Sequence, residues 1–179
     1  MITLLDPGHY RRTPWKNGGG TTTTIAEQTD VWQFGRTPIT QAGRFSDYAG
    51  FDRAQVLVAG RGLLLKTPEG EIDVRTPLRP VRFAGETPIT SRLDGGPVEV
   101  VNLIGRRSVV AIDLVVLAAR DSASLAKGTH FAYAAAGAAT VAGHDLAADH
   151  CLRIETDQPT MLACGDGVIV LGSITCVSR

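Results

Sequence analysis

The sequence predicts an almost entirely β protein made of many short strands. Short apolar runs rich in Val, Ile and Leu recur along the chain, bounded by Gly or Pro. Helical periodicity is nearly absent. The 20 Gly and 9 Pro are spread evenly, so no linker divides the chain.

The runs are Gln55–Ala59, Leu63–Lys66, Ile72–Val74, Pro80–Phe83, Val98–Ile104, Val109–Ala118, Cys151–Glu155 and Val168–Val177. By length Val109–Ala118 also suits a helix, but its β-branched content and its place after Gly105 favour a strand. Short helical pieces are expected at Ser122–Lys127, where a Ser can cap a turn. Phe45–Tyr48 reads as a turn leading into Gly50. Ala132–Gly143 reads as a hairpin around Gly137. Strands from about 21 to 105 form one set and those from 108 to 177 another. Closing each set into a barrel removes exposed sheet edges.

The chain has 179 residues, enough for one large domain or two small joined ones. Its 18 Lys and Arg balance 18 Asp and Glu. A neutral chain without a basic run lacks the electrostatic footprint of a nucleic-acid binder. No charged segment leads into an apolar one at the N-terminus, which argues against a secretory signal. The longest apolar stretch, Val109 to Ala119, is broken by Asp113 and falls short of the roughly 20 residues that span a bilayer. The expectation is a soluble cytoplasmic chain with neither membrane nor nucleic acid as partner. Cys151, Cys164 and Cys176 have apolar neighbours and no CxxC spacing, and read as reduced core thiols.

Three stretches carry candidate chemistry. The first, Trp15-Lys16-Asn17-Gly18-Gly19-Gly20-Thr21-Thr22, has the Asn-Gly of a tight hairpin turn with a Thr-rich strand behind it. Three glycines exceed what a turn needs, and also suit close backbone approach to an anion. The second, Gly43 to Arg53, is polar, aromatic and glycine-punctuated. Within it Asp52-Arg53 reads either as a structural ion pair or as an arginine fork offered to a carboxylate. The third, Glu99 to Arg107, holds Asn102 between apolar residues. A buried amide there needs partners, either local backbone or a ligand inside a barrel.

These stretches resemble the HutD/Ves family. A W-[RK]-N-G-G-G-x-T block is matched by Trp15 to Thr22, and a G-x-F-S-x-[FY]-x-G-x-D-R block by Gly43 to Arg53. A D-x-N-[LV]-[MI]-x-R-like block is matched by Val100 to Arg106, with its acidic position shifted or lost. A Phe-x-Arg piece fits Phe34 to Arg36, with Gly35 where the family usually has Trp.

The resemblance implies a bicupin, two fused cupin-like barrels of the RmlC-like jelly-roll type. One covers approximately residues 1–107 and the other 108–179, within a single unit. It also implies a ligand pocket in the first barrel and a regulatory role in histidine utilisation. The ligand would be an anionic intermediate such as urocanate or formylglutamate. The other branch of the family is associated with cold and stress response. The ligand-binding residues so implied are Trp15, Lys16, Asn17, Gly18, Gly19, Arg36, Phe45, Ser46, Asp52, Arg53 and Asn102. A homodimer is one option for the assembly.

No cofactor motif and no GxSxG elbow is present. The histidines, His9, His130, His144 and His150, form no HxH pair. His144-Asp145 and Asp149-His150 are adjacent, so a strand would turn each pair to opposite faces. No metal, cofactor or catalytic nucleophile is expected. The alternative to a binding protein is a metal-independent enzyme for a small carboxylate, with Asp52 or Glu99 as general base.

Overall fold

The computed structural model describes residues 1–15 and 20–177, so the expected ligand-binding residues Lys16, Asn17, Gly18 and Gly19 lie outside the described residues. The first strands are β1 (Ile2–Leu5), β2 (Arg11–Pro14), β3 (Thr21–Gln28), β4 (Trp32–Ile39), β5 (Phe51–Ala59) and β6 (Leu63–Thr67). There follow β7 (Gly70–Asp73), β8 (Val81–Ala84), β9 (Thr90–Leu93), β10 (Val98–Arg106), β11 (Val110–Leu117) and β12 (Ser122–Leu125). The last are β13 (Gly128–Tyr133), β14 (Ala139–Val141), β15 (His144–Leu146), β16 (Cys151–Thr156), β17 (Thr160–Ala163) and β18 (Ile169–Cys176). The one helical piece among the described residues is a 3₁₀ turn, Pro7–His9, where the Asp6 side chain accepts from the Gly8 N–H. No helix is long and apolar enough to cross a membrane.

The all-β expectation holds, and every expected strand is found. Ser122–Lys127 corrects a detail, because its first four residues form β12 rather than a helical turn. Ala123 and Leu125 alternate inward against Thr160–Ala163, and that period-two burial outweighs the capping signal of Ser122. The hairpin expected around Gly137 instead turns at Ala142-Gly143, between β14 and β15. Both residues have positive φ, 50° and 75°, the geometry of a tight two-residue hairpin. Cys151 and Cys164 are buried thiols, whereas Cys176, at the end of β18, is exposed.

A six-stranded antiparallel sheet runs β2-β3-β4-β10-β5-β8, and a five-stranded one β1-β16-β13-β18-β11. A three-stranded sheet β7-β6-β9 and the pairs β12-β17 and β14-β15 complete the set. Strand β1 joins the later strands, with Ile2 opposite Ile154 and Leu5 opposite Cys151.

The two large sheets pack face to face. Phe34 of β4 stacks on Phe131 of β13 with ring centroids 5.3 Å apart, and meets Tyr133 edge-on at 6.1 Å. Such pairs add about 0.5–1.5 kcal/mol to the burial of each ring. On its other face, the six-stranded sheet closes with β6, β7 and β9 over an apolar cluster that includes Leu57, Leu65 and Val100. The later strands enclose a second such cluster, including Leu125, Val141, Leu152 and Ile169. That interior is filled by aliphatic side chains. The interior of the earlier strands is not, and the candidate site lies there.

Candidate functional site

Strand register brings the site's residues into rows. Gly35 of β4, Asn102 of β10 and Gln55 of β5 are direct cross-strand partners. The neighbouring row is Gln33, Ile104, Arg53 and Phe83. Opposed residues in an antiparallel pair share a face, and residues two apart do so as well. Both rows therefore face away from Phe34 and Leu103, which pack toward the five-stranded sheet.

Of these rows, Gln33, Gly35, Arg53, Asn102 and Ile104 line an inner cavity of about 50 Å³. One water needs roughly 10–15 Å³, so the space suits a head group of a few heavy atoms. Trp15, Phe45 and Tyr48 form aromatic walls, while Thr22, Thr37, Ser46 and Asn102 supply polar atoms. The Trp15 indole N–H donates to Thr22 Oγ1 at 3.0 Å, and Thr22 Oγ1 lies 2.9 Å from Thr37 Oγ1. Gly20 permits the Trp15 placement, because a Cβ there would sit 2.9 Å from the indole ring. A wider cleft of about 470 Å³ shares Trp15, Thr22, Gln33, Tyr48 and Ile104 with the cavity and leads outward past Trp32 and Phe51.

Arg53 is the cavity's cation. It is 8% exposed and has no carboxylate partner among the described residues. Its guanidinium carbon lies 5.1 Å from the Phe45 ring centroid, 5.3 Å from Tyr48 and 5.1 Å from Phe83. Desolvated cation–π contacts of this kind are worth up to about 2 kcal/mol each. Its Nε has no hydrogen-bond partner among the described residues. Burial pushes the guanidinium pKa down to about 10, with Tyr48 opposing the shift, so the charge persists at neutral pH. An unpaired buried cation is costly unless an anion joins it.

Five of the expected site residues meet at this cavity: Trp15, Phe45, Ser46, Arg53 and Asn102. Two do not. Arg36 sits one residue from Gly35 and so points to the opposite face, where it pairs with Glu99 and Asp149. Asp52 likewise points away from Arg53 and pairs with Arg107 at 3.0 Å. The structural Asp52–Arg53 ion pair considered from sequence therefore does not form, since adjacent strand residues face opposite ways. Asp52 and Glu99, the candidate general bases, both lie off the inner cavity. No Asp, Glu or His among the described residues lines it. Nor do the described residues gather three or more His, Cys, Asp or Glu side chains around a point where a metal could bind.

Sequence reasoning missed Gln55 and Tyr48. Gln55 is fully buried, and neither its Oε1 nor its Nε2 has a partner among the described residues. The available signal was period two: Gln55 follows Arg53 by two positions inside an apolar run, which puts both on one face. Tyr48 lay within the Gly43–Arg53 block, but a loop has no periodicity to aim it.

The family model described as HutD matches residues 8–171. A relative in Pseudomonas putida, described as an uncharacterized 21.2 kDa protein in the hutC 3' region, is 31% identical over 110 residues. That stretch is 58% of this chain and 58% of the relative, less than two thirds of its length. Among solved structures, HutD from Pseudomonas fluorescens SBW25 (formate condition) superposes with a TM-score of 0.88 at 25% identity, covering 99% of this chain and 100% of that one. A conserved protein of unknown function from Pseudomonas aeruginosa PAO1 gives 0.83 at 23%, with both chains fully covered at 100%. The bacterial pirin from Escherichia coli in complex with nickel(II) gives 0.62 at 10% identity, over 99% of this chain and 100% of the other, a likeness of fold alone.

Proposed function

The chain belongs to the HutD family, and from that premise we propose that it is a small-molecule-binding protein with a regulatory role linked to histidine utilisation. Its ligand is a small carboxylate such as urocanate or formylglutamate. The observation that carries this reading is Arg53, a buried cation without a carboxylate partner among the described residues, set among aromatic rings at a cavity of head-group size. A ligand carboxylate supplies the missing charge, and a guanidinium grips it through paired hydrogen bonds. The wider cleft has room for the remainder of the molecule.

Binding is favoured over catalysis because, among the described residues, the inner cavity offers no carboxylate or imidazole to move a proton. The neighbouring gene context of the Pseudomonas putida relative, a hut region, supports the link to histidine utilisation.

The test is a thermal-shift titration with urocanate, formylglutamate, glutamate and formate, with urocanate absorbance followed for turnover. At a hundredfold excess over Kd a ligand stabilises the native state by about 2.7 kcal/mol. Stabilisation without product is expected. Failure of every compound to shift the midpoint sinks the ligand class, and product formation sinks the non-catalytic reading.

A further inference from the structure

Strand β1 is the outermost strand of the five-stranded sheet, and its outer edge has no strand partner among the described residues. Its ladder with β16 is fixed at one end by Met1, whose backbone N and O both bond to Glu155 at 2.8 Å. Hydrogen-bonded pairs alternate along an antiparallel ladder, so Met1, Thr3 and Leu5 turn their backbone groups toward β16. Ile2 and Leu4 turn theirs outward, where no hydrogen bond answers them among the described residues. Their side chains share one face, beside their cross-strand partners Ile154 and Leu152, and are 42% and 56% exposed.

An open edge of this kind invites another strand, and proteins usually blunt such edges with charge or proline. Every other edge strand of the sheets with three or more strands carries a charge: Asp113 on β11, Arg11 on β2, Arg82 on β8, Glu71 on β7 and Arg92 on β9. Strand β1, Ile-Thr-Leu-Leu, carries none. We propose that two copies of the chain pair along this edge, antiparallel about a two-fold axis at Thr3. A two-fold contact sets like against like, so a charged edge repels its copy and a neutral one does not. The same neutrality gives an acidic or basic partner nothing to grip. In the register centred on Thr3, Ile2 faces Leu4 of the second copy, and Leu4 faces its Ile2. These are the residues whose N–H and C=O point outward, so each pair exchanges both of its hydrogen bonds. A slip of one residue sets an outward-facing residue against an inward-facing one, and those bonds are lost. The chosen register also packs the exposed Ile2 and Leu4 side chains together on one face. So short an edge buries well under the about 1,200 Å² of a standard interface, which makes the pairing weak and reversible.

The test is sedimentation equilibrium of the full chain from about 1 μM to 1 mM, the range in which weak contacts form. The wild type is expected to pass from monomer to dimer as its concentration rises. Leu4→Pro removes an N–H that only the outer edge uses, so the ladder with β16 stays whole and the dimer is lost. A second pair of variants checks the register. A chain with Ile2→Lys and Leu4→Lys, and a chain with Ile2→Glu and Leu4→Glu, should each stay monomeric alone. Mixed in equal amounts they should form a heterodimer, because every Lys then faces a Glu, and high salt should weaken it. A wild type that stays monomeric across the range overturns the proposal. So does a folded Leu4→Pro or Lys variant that dimerises as strongly as the wild type, which would put the contact elsewhere on the surface. If Leu4→Pro fails to fold, the Lys and Glu chains decide: two monomers that also fail to associate when mixed defeat the register, and the proposal with it.

Discussion

The Arg36 guanidinium pairs with the Asp149 carboxylate across 113 residues of sequence, tying the six-stranded sheet to the loop ahead of β16. The same guanidinium donates to Glu99, and the Tyr133 hydroxyl donates to Asp149 Oδ1 at 2.8 Å. Burial draws the Arg36 pKa down, but hydrogen bonds to Tyr133 and Glu99 outweigh it and leave the pKa above the usual arginine value. Asp149 holds a positive φ of 66°, which Asp tolerates better than most residues. Tyr10 adds a bond from its hydroxyl to the Asp149 carbonyl at 2.7 Å.

Arg36→Met should therefore act on stability and not on the ligand. We expect a loss of about 1–3 kcal/mol, the range for charged hydrogen bonds removed from a partly buried cluster. Urea unfolding measures it. Carboxylate affinity should change by less than about threefold, since Arg36 faces away from the cavity; a loss as large as that of an Arg53 variant would place Arg36 at the site after all.

Arg53→Ala should do the reverse. Truncating one partner of a buried charge pair typically costs roughly 2–5 kcal/mol of binding. The unliganded protein should keep a cooperative unfolding transition, because the cation it loses has no carboxylate partner among the described residues to strand. Titration calorimetry and circular dichroism read the two effects separately. A variant that cannot fold would make Arg53 a structural residue held by its three aromatic neighbours.

Gly35 marks where β3 and β4 press together beside the cavity. A Cβ at this position would meet the Thr23 carbonyl oxygen at 2.7 Å and Thr22 Cγ2 at 3.0 Å. The register between β3 and β4 also shifts between Thr24 and Ala26, so the backbone is already irregular there. Gly35→Ala should cost about 1–3 kcal/mol, as overpacking does. A chemical-denaturation midpoint equal to wild type would show that β3 yields freely.

Acidification should weaken the fold through His130. The ring, carried by β13 opposite Ser173 of β18, is buried, with Nδ1 2.8 Å from Ser173 Oγ and Nε2 2.9 Å from the Ala126 carbonyl. Burial lowers its pKa below the usual value of 6.5, with the Ala126 carbonyl and Glu155 opposing. The unfolded chain thus takes up the proton first. The neutral ring's contribution is complete above pH 6.5 and is lost as the pH falls from there toward the folded value. His130→Gln should flatten the stability curve below about pH 6.5, removing a slope of at most about 1.4 kcal/mol per pH unit. An unchanged slope in the variant would assign the pH dependence to other groups.

The strands of this chain were legible because apolar runs of four to ten residues between glycines leave few alternatives to a sheet. Period two also separates Arg36 from its neighbours Gly35 and Thr37, and Asp52 from Arg53. What local pattern could not settle was which face turns inward. Arg36 and Arg53 look alike in sequence, two arginines in apolar strands. Only the packing of Phe34 and Leu103 on the five-stranded sheet fixes Arg36 to the junction and Arg53 to the cavity. Gln55 shows the same limit, since only its place on β5 between β10 and β8, in the folded sheet, leaves its amide buried without a partner among the described residues. Alternation along the sequence determined which residues share a face; tertiary packing, through the burial each face must achieve, decided which face became the site.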